Sequence, residues 1–272
     1  MVSRLYVNRF KTTPYTRLCV LINIGSHIPA VSGLGPTLGF HASDGTDGPT
    51  KAQYRFDDKR RKLEISAIKL DIVKTTGIAV GTFCESQDYL TAFLHWRAML
   101  LHDFGIEEGN ESHPLHRIFC RTLCLGQVPP EHEQSQLWHN LSYHVFASLI
   151  QEKLPRLPID EDLARYAAAT GFIEPDARRK FLQDHFGNRM VGRSFCITEQ
   201  GLIGMGSGYM TAGDLVVIPF GCSTPILLRH EVRRNESYYV GDVYVEGYMH
   251  GEAISQMEAK DPQRVVSKFM LC

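Results

Sequence analysis

Neither sign of charge dominates this 272-residue chain: 29 Lys and Arg stand against 30 Asp and Glu, a formal net charge of −1. Nucleic acid and anionic membrane partners call for a basic surplus, so neither is expected. No apolar run approaches the length of a membrane span. Near the N-terminus only "LCVLI" is apolar, and charge precedes it, so no signal peptide is expected. Cysteine is sparse, with seven residues at scattered spacings. An odd, unspaced set excludes a disulfide framework and points to reduced thiols in the cytoplasm.

Catalytic signatures are missing as well. There is no Gly-x-Ser-x-Gly elbow for a Ser-His-Asp hydrolase, and no Rossmann, kinase or zinc-protease pattern. A nicotinamide, flavin or ATP cofactor is therefore not expected. The stretch "GLIGMGSGYMTAGDLVVIPFG", Gly201–Gly221, sets Gly204, Gly206 and Gly208 at alternate positions. A phosphate loop would run into a helix, whereas "LVVIPF" reads as a strand. These glycines are expected at turns and close backbone crossings, with Gly204 and Gly206 in conformations costly to other residues. His116, Cys120 and Cys124 share one helical face at metal-ligand spacing, but no fourth ligand is evident, so they are read as core and no metal is expected. His95 and His102, also one face apart, are read as solvated or core.

What is present is an ordinary globular composition, 43% hydrophobic and 22% charged. Strands are expected at Thr16–Gly25, Leu38–Ser43, Ala52–Phe56 and Lys62–Val73, with "DKRRK", Asp57–Lys62, as a solvated turn. Helices follow. One has Ser86 as N-cap and Gly105 as stop, with Arg97 interrupting its apolar face; the next starts at Pro114 and ends before Gly126. A third puts Trp138, Leu141, Val145 and Leu149 on one face, and two short ones start at Asp160 and Pro175. "RSFCITE", "LIGMG", "LVVIPF", "TPILLRHEV" and "YYVGDVYV" read as strands. The expected fold is α+β: an antiparallel β sheet or small barrel formed by N- and C-terminal strands, with a central helical segment. The chain is read as a single domain, β-rich over 1–85, helical over 86–188 and a strand module over 189–272.

The strand module resembles the C-terminal region of fungal heterokaryon-incompatibility (HET) proteins. The pattern falls on Arg193, Thr198, Gly201, Gly204, Gly206, Gly213, Asp214, Gly221, Pro225 and Arg229. It continues through Gly241, Tyr244, Gly247, Met249, Gly251 and Glu252. Ser207 stands where the family usually has Pro, and Glu246 where it usually has His. "LEISAIKLDIV" and "FCRTL" match more loosely upstream. The resemblance implies structural roles for most motif residues, with Arg193, Arg229 and Glu252 in buried pairs. It also implies a trailing region without the N-terminal HET domain.

Two functions are expected from this. The first is a cofactor-independent cyclase of fungal specialised metabolism, a lyase or isomerase acting on an apolar terpenoid or polyketide intermediate. An intramolecular Diels–Alder-type cycloaddition is its most concrete version, since it needs neither nucleophile nor metal. An apolar pocket between helices and C-terminal strands is expected, walled by Phe93, Trp96 and Trp138. Arg121, Tyr209, Glu246 and His250 are its candidate catalytic groups. The second is a non-enzymatic protein-interaction or regulatory module derived from heterokaryon-incompatibility proteins.

Overall fold

Fourteen consecutive residues, Leu63–Thr76, form the longest strand of the computed structural model, which describes residues 38–45, 48–57, 62–81, 84–107, 113–133 and 137–272. The strand expected at Thr16–Gly25 lies outside these residues, as does most of the basic run at Asp57–Lys62. Strands β1 (Asp44–Gly45) and β2 (Gly48–Pro49) are a two-residue pair. Strand β3 (Tyr54–Phe56) pairs antiparallel with β4 (Leu63–Thr76). The segment Leu38–Ser43 is irregular rather than a strand, though Phe40 and Ala42 are buried.

The C-terminal strands are β5 (Arg193–Thr198), β6 (Ile203–Ser207), β7 (Leu215–Pro219), β8 (Ile226–Glu231) and β9 (Glu236–Val245). Strand β10 (Val266–Leu271) was not expected. The fold is α+β with an antiparallel sheet. Strand β4 pairs with β10 over Leu63–Ile68, with β7 over Ala67–Ile72 and with β5 over Val73–Thr76. From β5 the pairing passes to β6, β9, β8 and β7, and so returns to β4. A 14-residue strand is long enough to serve these neighbours in turn along its two edges, while its side chains face two cores. Leu63, Ile65 and Ala67 enter one cluster, while Ile68, Leu70 and Val73 enter another.

The helices of seven residues or more among the described residues are α1 (Ser86–Phe104), α2 (Pro114–Leu123), α3 (Leu137–Lys153), α4 (Glu161–Ala168), α5 (Pro175–Leu182) and α6 (Glu252–Glu258). Helix α6 was also not expected. Glu85 rather than Ser86 caps α1, its N–H donating to Asp88 Oδ2 at 2.7 Å; Gly105 ends the helix at φ 60°. Pro114 and Pro175 sit in first turns, where the missing N–H costs nothing. Asp160 caps α4 by accepting from Leu163 N–H at 2.9 Å. Helix α3 departs most from expectation. Every residue from Ser142 to Ile150 is buried, so it is a central helix and not one with a single apolar face. A five-residue π-helical turn, Gln183–Gly187, follows α5.

Helices α1 to α5 rest on one side of the sheet, whereas α6 packs Ala253 and Ile254 into the sheet's own core. Phe195, Ile197, Ile203, Met205 and Tyr244 join the helical core, while their strand neighbours Cys196, Val243 and Val245 join the sheet's own core. Gly204 and Gly206 lie within β6, not in a turn, and neither has positive φ. The expectation of a costly backbone conformation is therefore corrected. The constraint is space: a Cβ on Gly204 would stand 2.5 Å from the Tyr244 carbonyl oxygen, and one on Gly206 3.0 Å from Val243.

Candidate functional site

Helix α2 and strand β9 meet at a polar cluster that gathers two of the four candidate catalytic groups. Arg121 Nε donates to Glu246 Oε1 at 2.8 Å, and the Tyr244 hydroxyl donates to Glu246 Oε2. Gly126, just past the helix at φ 68°, leaves the room: a Cβ there would lie 2.7 Å from the Tyr244 hydroxyl. Burial opposes the Arg121 charge, but Glu246 outweighs it and raises the guanidinium pKa. Burial, then Glu246, raises the Tyr244 phenol far above its ordinary value. Phe40 packs between Tyr244 and His250, with ring centroids 5.8 and 6.0 Å away. His250 is itself exposed, and its backbone N–H donates to Glu252 Oε2 at 2.7 Å. Both carboxylate oxygens of Glu246 thus have partners, and the cluster clasps a helix to a strand.

Tyr209 lies apart from this group. Its side chain is 55% exposed, and its carbonyl accepts from Arg229 Nη2 at 2.8 Å. The same guanidinium grips the buried Asp214 with two bonds, Nε to Oδ1 at 2.8 Å and Nη2 to Oδ2 at 2.9 Å. Asp214 also accepts from Thr211 N–H at 2.8 Å, which holds the β6–β7 turn. Arg229 thus has a carboxylate partner, but its own side chain is 44% exposed, so the pair is buried only on the Asp214 side and the expectation of a buried pair is corrected. Arg193 donates to the Arg189 carbonyl at 2.9 Å; burial lowers its pKa, and the Asp242 charge opposes that lowering.

Arg97, whose charge breaks the apolar face of α1, is answered by two carboxylates. It is buried, donates to Asp160 and approaches Asp162 at 3.5 Å. This pairing ties α1 to the start of α4. Beside it, His116 Nδ1 and the Tyr143 hydroxyl are 2.8 Å apart. Burial, helped by Arg97 and His139, pushes the His116 pKa down to about 4. Burial likewise pushes the Cys124 thiol up to about 12 and raises Cys120. Among the described residues no three His, Cys, Asp or Glu side chains are placed to share a metal. His95 and His102 are exposed on α1.

Phe93, Trp96 and Trp138 are interior residues at 0, 0 and 2% exposure. Phe93 stacks on Phe146 at 4.1 Å, Trp96 on Phe195 at 6.1 Å and Trp138 on Phe186 at 5.6 Å. Trp96 Nε1 donates to the Ile78 carbonyl at 2.9 Å. These rings fill the core between helices and sheet.

Among the described residues, an open space lies at the end of the sheet. A cleft of about 570 Å³ is bounded by the start of β4, the β8–β9 hairpin end and β10. Lys62, Arg234, Lys268 and His230 stand around it with Glu64 and Glu236. Lys62 pairs with Glu236, and Lys268 with Glu64 at 3.3 Å. Sequence reading missed this site because it missed β10, whose sequence "VSKFML" lacks a clean apolar–polar alternation.

Residues 151–264 match the Het-6 beta-barrel domain. Over 114 residues the chain is 32% identical to "Heterokaryon incompatibility protein 6, OR allele" of Neurospora crassa, covering 38% of this chain and 17% of that protein. No solved structure matches. The chain carries a C-terminal Het-6 barrel-like domain homologous to that protein. This overturns the cyclase reading. The similarity leads to a heterokaryon incompatibility protein and not to a lyase or isomerase of specialised metabolism. The apolar terpenoid or polyketide substrate is withdrawn with it, and so is the reaction for which Arg121, Tyr209, Glu246 and His250 were chosen. Among the described residues no helix is long and apolar enough to cross a membrane.

Proposed function

We propose that this chain is a non-enzymatic protein-interaction or regulatory module derived from heterokaryon-incompatibility proteins, folding as one domain and working in the cytoplasm. One observation carries the reading: the domain similarity over 151–264 leads to a protein named for heterokaryon incompatibility. The polar groups at the helix–strand junction support it, because Glu246 spends both oxygens on Arg121 and Tyr244. A module of this kind offers its surface to another protein. The near-neutral overall charge favours a protein partner over nucleic acid. The test is proximity labelling by the full chain expressed in Neurospora crassa, beside metabolite profiling of the same strain. The expected result is a reproducible set of labelled proteins, absent with the labelling enzyme alone, and an unchanged metabolite profile. An unchanged labelling background together with a new or lost metabolite would sink the reading.

A further inference from the structure

We infer that the edge of β10, open among the described residues, is a docking site for an extended acidic peptide of a partner protein, which adds a strand beside Val266–Met270. The inference rests on the interaction-module reading and specifies its surface.

The backbone comes first. Strand β10 pairs with β4 along its whole length but meets β9 only at Leu271, opposite Ser237. The Cys272 N–H donates to the Ser237 carbonyl at 3.2 Å, so that backbone faces away from β4. Alternation along an antiparallel ladder turns Val266, Lys268 and Met270 the same way. An edge of this kind templates a further strand unless something covers it. The cleft of about 570 Å³ opens beside Lys268, Phe269 and Met270, so there is room for the incoming side chains. Partly buried Phe269 and Leu215 give the cleft its apolar part.

Charge decides the occupant. Three cations, Lys62, Arg234 and Lys268, face two carboxylates, Glu64 and Glu236, with His230 alongside. Both carboxylates already have Lys partners, and Arg55 approaches Glu64 at 3.6 Å as well. Lys62 is the main cause of the lowered Glu236 carboxyl pKa, and Arg234 stands near enough to help lower it. The surplus is cationic, and an acidic side chain on the added strand would meet it. A second copy is a poor occupant, since antiparallel pairing of two β10 edges brings Lys268 towards Lys268.

The test uses the full chain and a displayed library of random twelve-residue peptides, with enriched sequences then synthesised and measured by fluorescence anisotropy. Acidic peptides with alternating apolar residues should be enriched. Lys268→Glu with Arg234→Glu should weaken their binding by about tenfold or more, because charge attraction becomes repulsion. Val266→Pro removes an outward N–H and leaves the β4 side intact, so it should also weaken binding while the melting temperature holds. Alternate backbone N-methylation of the peptide should abolish binding. No enrichment, or binding indifferent to these changes, overturns the inference. So does a dimer seen by light scattering that Val266→Pro dissolves, since the edge would then belong to a second copy. If proximity labelling still finds partners that Val266→Pro leaves in place, this surface fails and the module reading stands.

Discussion

Gly204 is held by its surroundings and not by its torsion angles. A side chain there meets the Tyr244 carbonyl of the neighbouring strand. Gly204→Val should lower stability by about 1–3 kcal/mol or more, because a packed strand crossing cannot absorb the added methyls. Thermal unfolding checks this, and an unchanged midpoint would remove the steric account. Glu246 offers a second residue-level test. Glu246→Ala leaves Arg121 and the Tyr244 hydroxyl without their shared acceptor, in a site about three-quarters buried. A loss of about 1–3 kcal/mol is expected, the cost of orphaning partly buried polar groups. Tyr244→Phe in the same background should then cost little further, because the bond it breaks is already gone. Additive losses would show that the two groups do not share one clasp. Sequence brought Arg121 and Glu246 forward separately, one from a helix motif and one from a departure in a strand motif. That they touch depends on tertiary packing, which neither motif encodes.

Helices and strands were legible where local chemistry fixes them. Pro114, Pro175, Asp160 and Gly105 mark helix ends through their own backbone and capping properties. Helix α3 was misread in character because its polar residues are buried too: His144 is interior and its Nδ1 lies 2.8 Å from the Tyr166 carbonyl. Strand β10 escaped notice because its exposed Val266 and Lys268 give it no continuous apolar signal. The buried histidine at the α2–α3 contact has a consequence for acid stability. His116 titrates near 4 in the folded chain and near 6.5 when unfolded, so between those values the unfolded state binds more protons. This contribution is intact above about pH 6.5, declines as pH falls towards 4, and is flat below it. Burial also lowers His139 and His185, in the same direction. Urea midpoints should therefore fall on acidification across this window, and less so in His116→Asn. Equal slopes in both proteins would show that His116 does not carry the effect.

At the scale of the molecule, the sheet ignores the boundary suggested by the domain match. Residues 151–264 contain β5 to β9, but β4 and β10 lie outside them. Without β4, both β5 and β7 lose a neighbour, and the sheet's apolar cores open. A fragment spanning 151–264 should be insoluble or bind hydrophobic dyes, whereas the full chain should unfold cooperatively. A monomeric fragment with a sharp thermal transition would show that the matched segment is autonomous. The same arrangement sets an order of events during synthesis. Strand β4 emerges early, yet the contacts that hold it reach far along the chain: Asp71 accepts from the Gln200 N–H 129 residues away, and Glu64 meets Lys268 204 residues away. Closing such long loops slows folding. A growing chain must carry a fourteen-residue strand, of which only Leu63–Ile65 can pair with the earlier β3, while the whole helical segment is made. Translation speed and chaperone supply should therefore govern soluble yield more than the melting temperature does, and the critical interval is the one before β5 appears.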